Sequence, residues 1–128
     1  MVTTTAWLTF DNVENALECL AQLQSMAGDR IAAYELLNQL QLQAVLANFP
    51  DVRLPTDPSS PYAVLLELSD TYAKAALQDL MEDALSQLTE RGLLRDAAIA
   101  VSDTQRDAFW HIRHSISESN RKAGMGLS

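Results

Sequence analysis

The chain has little with which to grip a phosphate, a metal ion or a nucleic acid. Only four glycines occur in 128 residues. None forms the glycine-rich turn after a strand that lets a backbone approach a phosphate closely. Cys19 is the sole cysteine, which excludes an internal disulfide and a paired-cysteine zinc site and suits a small buried apolar residue. G-x-S-x-G and H-E-x-x-H are absent. His111 and His114 stand three apart, but no carboxylate or third histidine has ligand-like spacing beside them, so no metal is expected. Basic residues are few: nine Lys and Arg stand against seventeen Asp and Glu, a formal charge of -8. That balance argues against nucleic acid as a partner, because phosphate binding needs concentrated cations, and against attachment to an anionic membrane surface. No apolar run approaches the ~20 residues of a membrane helix, and the N-terminus lacks the basic-then-apolar layout of a signal peptide. A soluble, cytoplasmic location is the expectation.

Hydrophobic residues make up 48% of the chain, enough for one domain with one core, here taken to span residues 1–128. The charge is uneven. Five Lys or Arg face fourteen Asp or Glu from Met1 to Val101, whereas Ser102 to Ser128 has four against three. An anion-handling surface is therefore to be sought in the C-terminal stretch, where both histidines also lie.

Thr5 to Phe10 is rich in β-favouring and aromatic residues and is followed by Asp11 and Asn12, a helix-start signal. Val13, Ala16, Leu17, Leu20, Leu23 and Met26 recur at helical spacing up to Gly28. Ile31 to Leu37 fits a second strand, although its alanines leave a helix possible, and Asn38 to Asn48 fits a short helix. Pro50 to Pro61 holds all four prolines and reads as an exposed irregular loop. Tyr62 to Leu68 is the clearest strand, with Ser69-Asp70-Thr71 as its helix-starting exit. A helix from about Tyr72 to Glu90 buries Leu77, Leu80, Met81, Ala84, Leu85 and Leu88, and Gly92 ends it. Ala97 to Val101 is a fourth strand, after which Ser102 and Asp103 cap a last helix reaching about Ala123. Strand, helix and strand thus occur twice, from Trp7 to Leu37 and from Leu65 to Val101. Two such units interleaved give an α+β ferredoxin-like sandwich, an antiparallel sheet of about four strands with helices on one face. A parallel doubly wound sheet is the alternative, but it normally needs more strands and a glycine-rich first turn.

At ~100° per residue, Arg106, Trp110, Arg113, Ser117, Asn120 and Arg121 share one face of the last helix, and Ala108, Ile112 and Ile116 another. Planar guanidinium groups beside a hydroxyl and an amide can hold a carboxylate by parallel hydrogen bonds. The same face could equally be a solvated one. Glu35 and Glu67 interrupt otherwise apolar strands; carboxylates facing an acid would repel it, so both are expected to point to water from an open sheet face.

The segment from Phe109 to Ser128, F-W-H-I-R-H-S-I-S-E-S-N-R-K-A-G-M-G-L-S, resembles a signature in the C-terminal region of FAD-linked oxidases related to glycolate oxidase, D-lactate dehydrogenase and D-2-hydroxyglutarate dehydrogenase. There a tryptophan, two residues and an arginine open a helix that ends in a glycine-containing turn. A-Y-E-L-L-N (Ala33 to Asn38), V-L-L-E-L-S (Val64 to Ser69) and D-A-A-I-A (Asp96 to Ala100) resemble the corresponding strands, so the resemblance runs in order along nearly the whole chain. It implies a substrate or cap domain lying over a flavin whose FAD is held by a separate N-terminal domain of the parent, with no cofactor bound to this piece.

In that family the arginine of W-x-x-R binds the substrate carboxylate and a hydroxyl residue four positions later assists, which falls on Arg113 and Ser117; Trp110 and Asn120 are further candidates for lining the pocket. The family's catalytic and metal-binding histidines lie in later segments, so the resemblance gives His111 and His114 no such role. Some relatives place a basic residue near the position of Ser128, which leaves the substrate's size and charge open. The family also continues beyond Gly126-Leu127-Ser128 into another strand. Ser128 therefore reads as a cut, with homodimerisation through an unpaired sheet edge expected. The resulting expectation is a domain that positions a 2-hydroxy acid over FAD in a parent oxidoreductase and is inactive alone. The alternative is a stand-alone ligand-sensing or protein-interaction module, because fold alone does not fix function.

Overall fold

A computed structural model of the chain describes residues 1–71 and 73–122, the side chains of 120–122 excepted. Four strands, β1 (Val2–Phe10), β2 (Ile31–Asn38), β3 (Tyr62–Asp70) and β4 (Asp96–Ile99), alternate with helices α1 (Val13–Ala27), α2 (Gln39–Asn48), α3 (Lys74–Glu90) and α4 (Asp103–Lys122). The strand order is β2-β3-β1-β4 and every pairing is antiparallel. This is the interleaved α+β arrangement expected from the two strand-helix-strand units.

Local chemistry explains most boundaries. Asn12 caps α1 by accepting from the Asn15 N–H at 2.8 Å, and Gly28, at φ 57°, ends it where a side chain would be strained. Asn38 and Gln41 form a reciprocal capping box that starts α2 directly from β2. The expected exit signal after β3 works differently. Asp70 belongs to the strand and pairs with Arg30 at 2.7 Å, while the residue that caps α3, Ala73, has no side-chain bond to give. The proline loop is pinned from outside by Arg95, which reaches Asp11 at 3.3 Å and Asp57 at 3.7 Å.

The sheet is covered on both faces, and here the expectation of helices on one face needs correcting. Ala6, Leu8, Phe10, Val64, Leu66 and Leu68 point to one side and pack with α1 and α3 residues such as Leu23, Met81 and Leu88. Trp7, Ala63, Leu65 and Leu37 point to the other and pack with Leu42 and Val45 of α2 and Phe109, Ile112 and Ile116 of α4. The physical reason lies in β1 and β3, whose central residues are buried without alternation; a strand buried on both faces needs a layer on each. Trp7 meets Phe109 edge-on with ring centroids 6.1 Å apart. Of the expected α1 stripe, Leu17 is exposed, and Cys19 and Ala27 face the core in addition.

Cys19 is fully buried, and burial pushes its thiol up to about 11, against a lowering contribution from Tyr34. A neutral, enclosed thiol is a poor nucleophile. Maleimide labelling at neutral pH should therefore be negligible in the folded domain and rise only through the urea unfolding transition. Rapid labelling without urea would contradict this.

Candidate functional site

The face covered by α2 and α4 carries two arginine–carboxylate pairs, each joining α4 to a different strand. Glu67 lies two residues after Leu65 on β3 and so shares its face. The residue is 7% exposed. It accepts from the Arg106 Nε at 2.8 Å and Nη2 at 3.0 Å, from the Trp110 indole N–H at 2.9 Å, and from the Thr5 hydroxyl at 2.8 Å. Burial alone would disfavour its charged form, but the bonds from Arg106, Trp110 and Thr5, with the Arg106 charge, outweigh it and hold the carboxyl below the usual carboxylate value. Arg106 is raised in return, chiefly by its bond to Glu67. Glu67 thus points into the protein and not, as the sequence suggested, to water.

Further along the same helix, Arg113 reaches over edge strand β2. Its Nε donates to Glu35 Oε1 at 3.0 Å, with both side chains about one-third exposed. Glu35 precedes Leu37 by two and projects to the same side. Tyr34 beside it projects oppositely, and its hydroxyl donates to the Ala16 carbonyl of α1 at 2.6 Å. Glu35 therefore remains partly open to water, as expected, yet it is committed to an ion pair.

Arg113 and Ser117 line one cavity of about 320 Å³ together with Tyr34, Glu35, Gln41 and Ile116. The two residues singled out by the W-x-x-R spacing are one helical turn apart and face the same space. Trp110, the third candidate, is not among the lining residues: its polar edge is used by Glu67, and its ring lies beside that of His114 at a centroid distance of 5.8 Å. Asn120 lies outside the described side chains, and Ser128 outside the described residues. The exposed His111 has its carbonyl bonded by the Ser115 hydroxyl at 2.7 Å. A larger recess of about 590 Å³ lies at the far end of α1, around Arg30 and Asp70. It contains none of the W-x-x-R residues.

What sequence reasoning missed is Glu67. A signal was present: a single carboxylate within V-L-L-E-L-S, a run apolar on both of its faces, has no solvated side to turn to. Such a residue must find donors, and Arg106 and Trp110, four apart on one helix, supply them.

Among the described residues no helix is long and apolar enough to cross a membrane. Comparison with known proteins gives a match to the family model for FAD linked oxidases, C-terminal domain, over residues 1–128. A mitochondrial D-2-hydroxyglutarate dehydrogenase of Arabidopsis thaliana is 29% identical over 120 residues, 91% of this chain and 21% of that protein. A protein of Oryza sativa subsp. indica, provisionally named as the same mitochondrial enzyme, is 30% identical over 127 residues, 95% of this chain and 22% of that protein. A mitochondrial protein of Schizosaccharomyces pombe with a provisional D-lactate dehydrogenase name is 24% identical over 128 residues, 98% of this chain and 23% of that protein. The chain thus spans between a fifth and a quarter of the length of these relatives. Their mitochondrial names overturn the expected cytoplasmic location, which had rested on the lack of a membrane-length apolar run and of a signal-peptide pattern. With the family model matched from end to end, this chain belongs to the C-terminal domain family of the FAD-linked oxidases.

Proposed function

We propose that this domain binds the carboxylate of a 2-hydroxy acid through Arg113, assisted by the Ser117 hydroxyl, and holds it for oxidation in a parent FAD-dependent oxidoreductase. One observation carries the reading: the arginine and the hydroxyl four residues later, picked out by the family pattern, line one 320 Å³ cavity. A guanidinium edge matches a planar carboxylate by two parallel hydrogen bonds, and a hydroxyl can then fix the second substituent. D-2-hydroxyglutarate and D-lactate, the acids in the relatives' names, both carry this pairing of carboxylate and adjacent hydroxyl.

The described residues do not fit the cofactor itself. Gly28 and Gly92, the glycines with left-handed φ, each follow an α-helix, and neither opens an α-helix whose N-terminus could receive a pyrophosphate; Gly28 starts only the three-residue 3-10 turn Gly28–Arg30. We assign the flavin to the rest of the parent and derive no step through it. The work of this domain is binding, orientation and charge, so the domain alone is inactive on this reading.

The test is steady-state turnover of 2-hydroxy acids by the FAD-loaded protein carrying Arg113→Ala. Retained flavin absorbance with lost turnover is the expected result, and unchanged turnover refutes the assignment. Homodimerisation through the outer edge of β2 or β4 belongs to the same proposal: neither edge has a strand neighbour among the described residues, and open edges invite pairing. Light scattering on the domain should show dimer; monomer alone at high concentration counts against it.

A further inference from the structure

We propose that Glu35 is a positioning residue that sets anion selectivity at Arg113: it fixes the guanidinium so that only its terminal edge faces the cavity, and its charge weakens anion binding in general. The inference rests on the reading of Arg113 as the carboxylate ligand, and deepens it.

An arginine offers a carboxylate two bidentate edges, one formed by Nε with a terminal nitrogen and one by the two terminal nitrogens. In this structure Nε is already taken by Glu35 Oε1 at 3.0 Å, and among the described residues Arg113 is bonded through Nε alone. The side edge is thereby closed and the end edge, Nη1 and Nη2, is left for a ligand. Glu35 is held in turn by its strand: it lies in β2, registered against Leu65 of β3, and its neighbour Tyr34 is tied to α1. A side chain with four rotatable bonds is thus referenced to the sheet, not merely to its own helix.

Glu35 also lines the same cavity, so a bound acid sits near two opposite influences, the guanidinium and a resident carboxylate. The pair is formally neutral. An anion entering it gains less than it would at a lone arginine, and an anion that uses the end edge in a planar, two-bonded manner loses least. A tetrahedral anion that relies on charge more than on a matched edge is disfavoured.

Charge and geometry separate cleanly by substitution. Glu35→Gln keeps an oxygen able to accept from Arg113 Nε but removes the negative charge; Glu35→Ala removes both. In the FAD-loaded protein, Glu35→Gln should lower KM for the 2-hydroxy acid by roughly three- to tenfold with little change in kcat, the scale of one partly screened charge at close range. Glu35→Ala should raise KM, and inhibition by inorganic sulfate should strengthen relative to the unsubstituted protein, because an unoriented guanidinium accepts a tetrahedral anion. Both side chains of the pair are partly exposed, so matched thermal unfolding is expected and is measured alongside. A role confined to folding would move the melting temperature and leave the opposite KM shifts absent. If Glu35→Gln leaves KM unchanged or raises it, or if both variants behave alike, while Arg113→Ala still abolishes turnover, the inference falls and the site assignment stands. If Arg113→Ala itself leaves turnover unchanged, the assignment falls as well.

Discussion

With Arg113 as the proposed carboxylate ligand, its replacement by alanine should cut kcat/KM for a 2-hydroxy acid by roughly a hundred- to ten-thousandfold, the effect expected when a hydrogen-bonded partner of a desolvated charge is removed. Two losses combine. The substrate carboxylate loses a charge-assisted, two-bonded anchor, and Glu35, deprived of its cation, is left in the cavity as an uncompensated negative charge. Arg113→Lys should recover only part of the activity, since an ammonium group lacks the planar fork and cannot hold Glu35 and a carboxylate by separate edges. Ser117→Ala, which removes a single neutral hydrogen bond, should cost only about tenfold. Because Arg113 is partly exposed and Ser117 exposed, and the flavin is assigned to the rest of the parent, flavin absorbance and melting temperature should be kept in all three variants. An Arg113→Ala protein that keeps its turnover would show that the acid is held elsewhere.

Replacing Glu67 with leucine should destabilise the domain by about 3 kcal/mol. The estimate follows from the donors it orphans: the Trp110 indole and the Thr5 hydroxyl lose a buried acceptor at about 1–3 kcal/mol for each unsatisfied group. Arg106 recovers part of its loss, because its side chain is 34% exposed and can be rehydrated. Glu67→Gln keeps one acceptor oxygen and should cost less. The double variant Glu67→Leu with Arg106→Leu should be more stable than Glu67→Leu alone, since an ion pair exchanged whole for apolar groups does not strand a charge. Urea unfolding of the four proteins measures this, and a loss below about 0.5 kcal/mol for Glu67→Leu would disprove the role.

The same network fixes a direction with pH. The folded Glu67 carboxyl titrates below its unfolded value of about 4.3, so its contribution is complete above that value and is lost as pH falls through the lower folded one. The stability gap between the unsubstituted protein and Glu67→Gln should accordingly narrow in acid and stay constant near neutrality. A gap that widened on acidification would require a raised carboxyl and contradict the bonding seen here.

Sequence alone determined a great deal at the level of elements. The four strands and four helices were legible in the order of residue types along the chain, and several of their ends in Asn12, Asn38, Gly28 and Gly92, which act through bonds and dihedrals a few residues long; the start of α3 was not, since its cap Ala73 makes no side-chain bond. Helical periodicity likewise put Arg113 and Ser117 on one face, and the resemblance to the W-x-x-R pattern marked them as candidates. Those are local properties, and local properties are written in order along the chain.

Three things were decided only by the tertiary structure. The second helical layer, α2 with α4, covers the side of the sheet formed by Trp7, Ala63, Leu65 and Leu37, residues from three strands that a strand-by-strand reading does not bring together. Trp110 looked like a pocket wall on a helical wheel, but a wheel records direction and not what waits there, and what waits is Glu67. Both glutamates were expected to face water because each was judged beside an acid ligand and not beside the arginines of a helix roughly 40 to 80 residues away. A carboxylate's fate is set by the summed burial and charge around it, and those neighbours meet only when α4 crosses β3 and β2. The order of residues puts Arg113 on a polar helix face; only the fold brings Glu35 to its Nε.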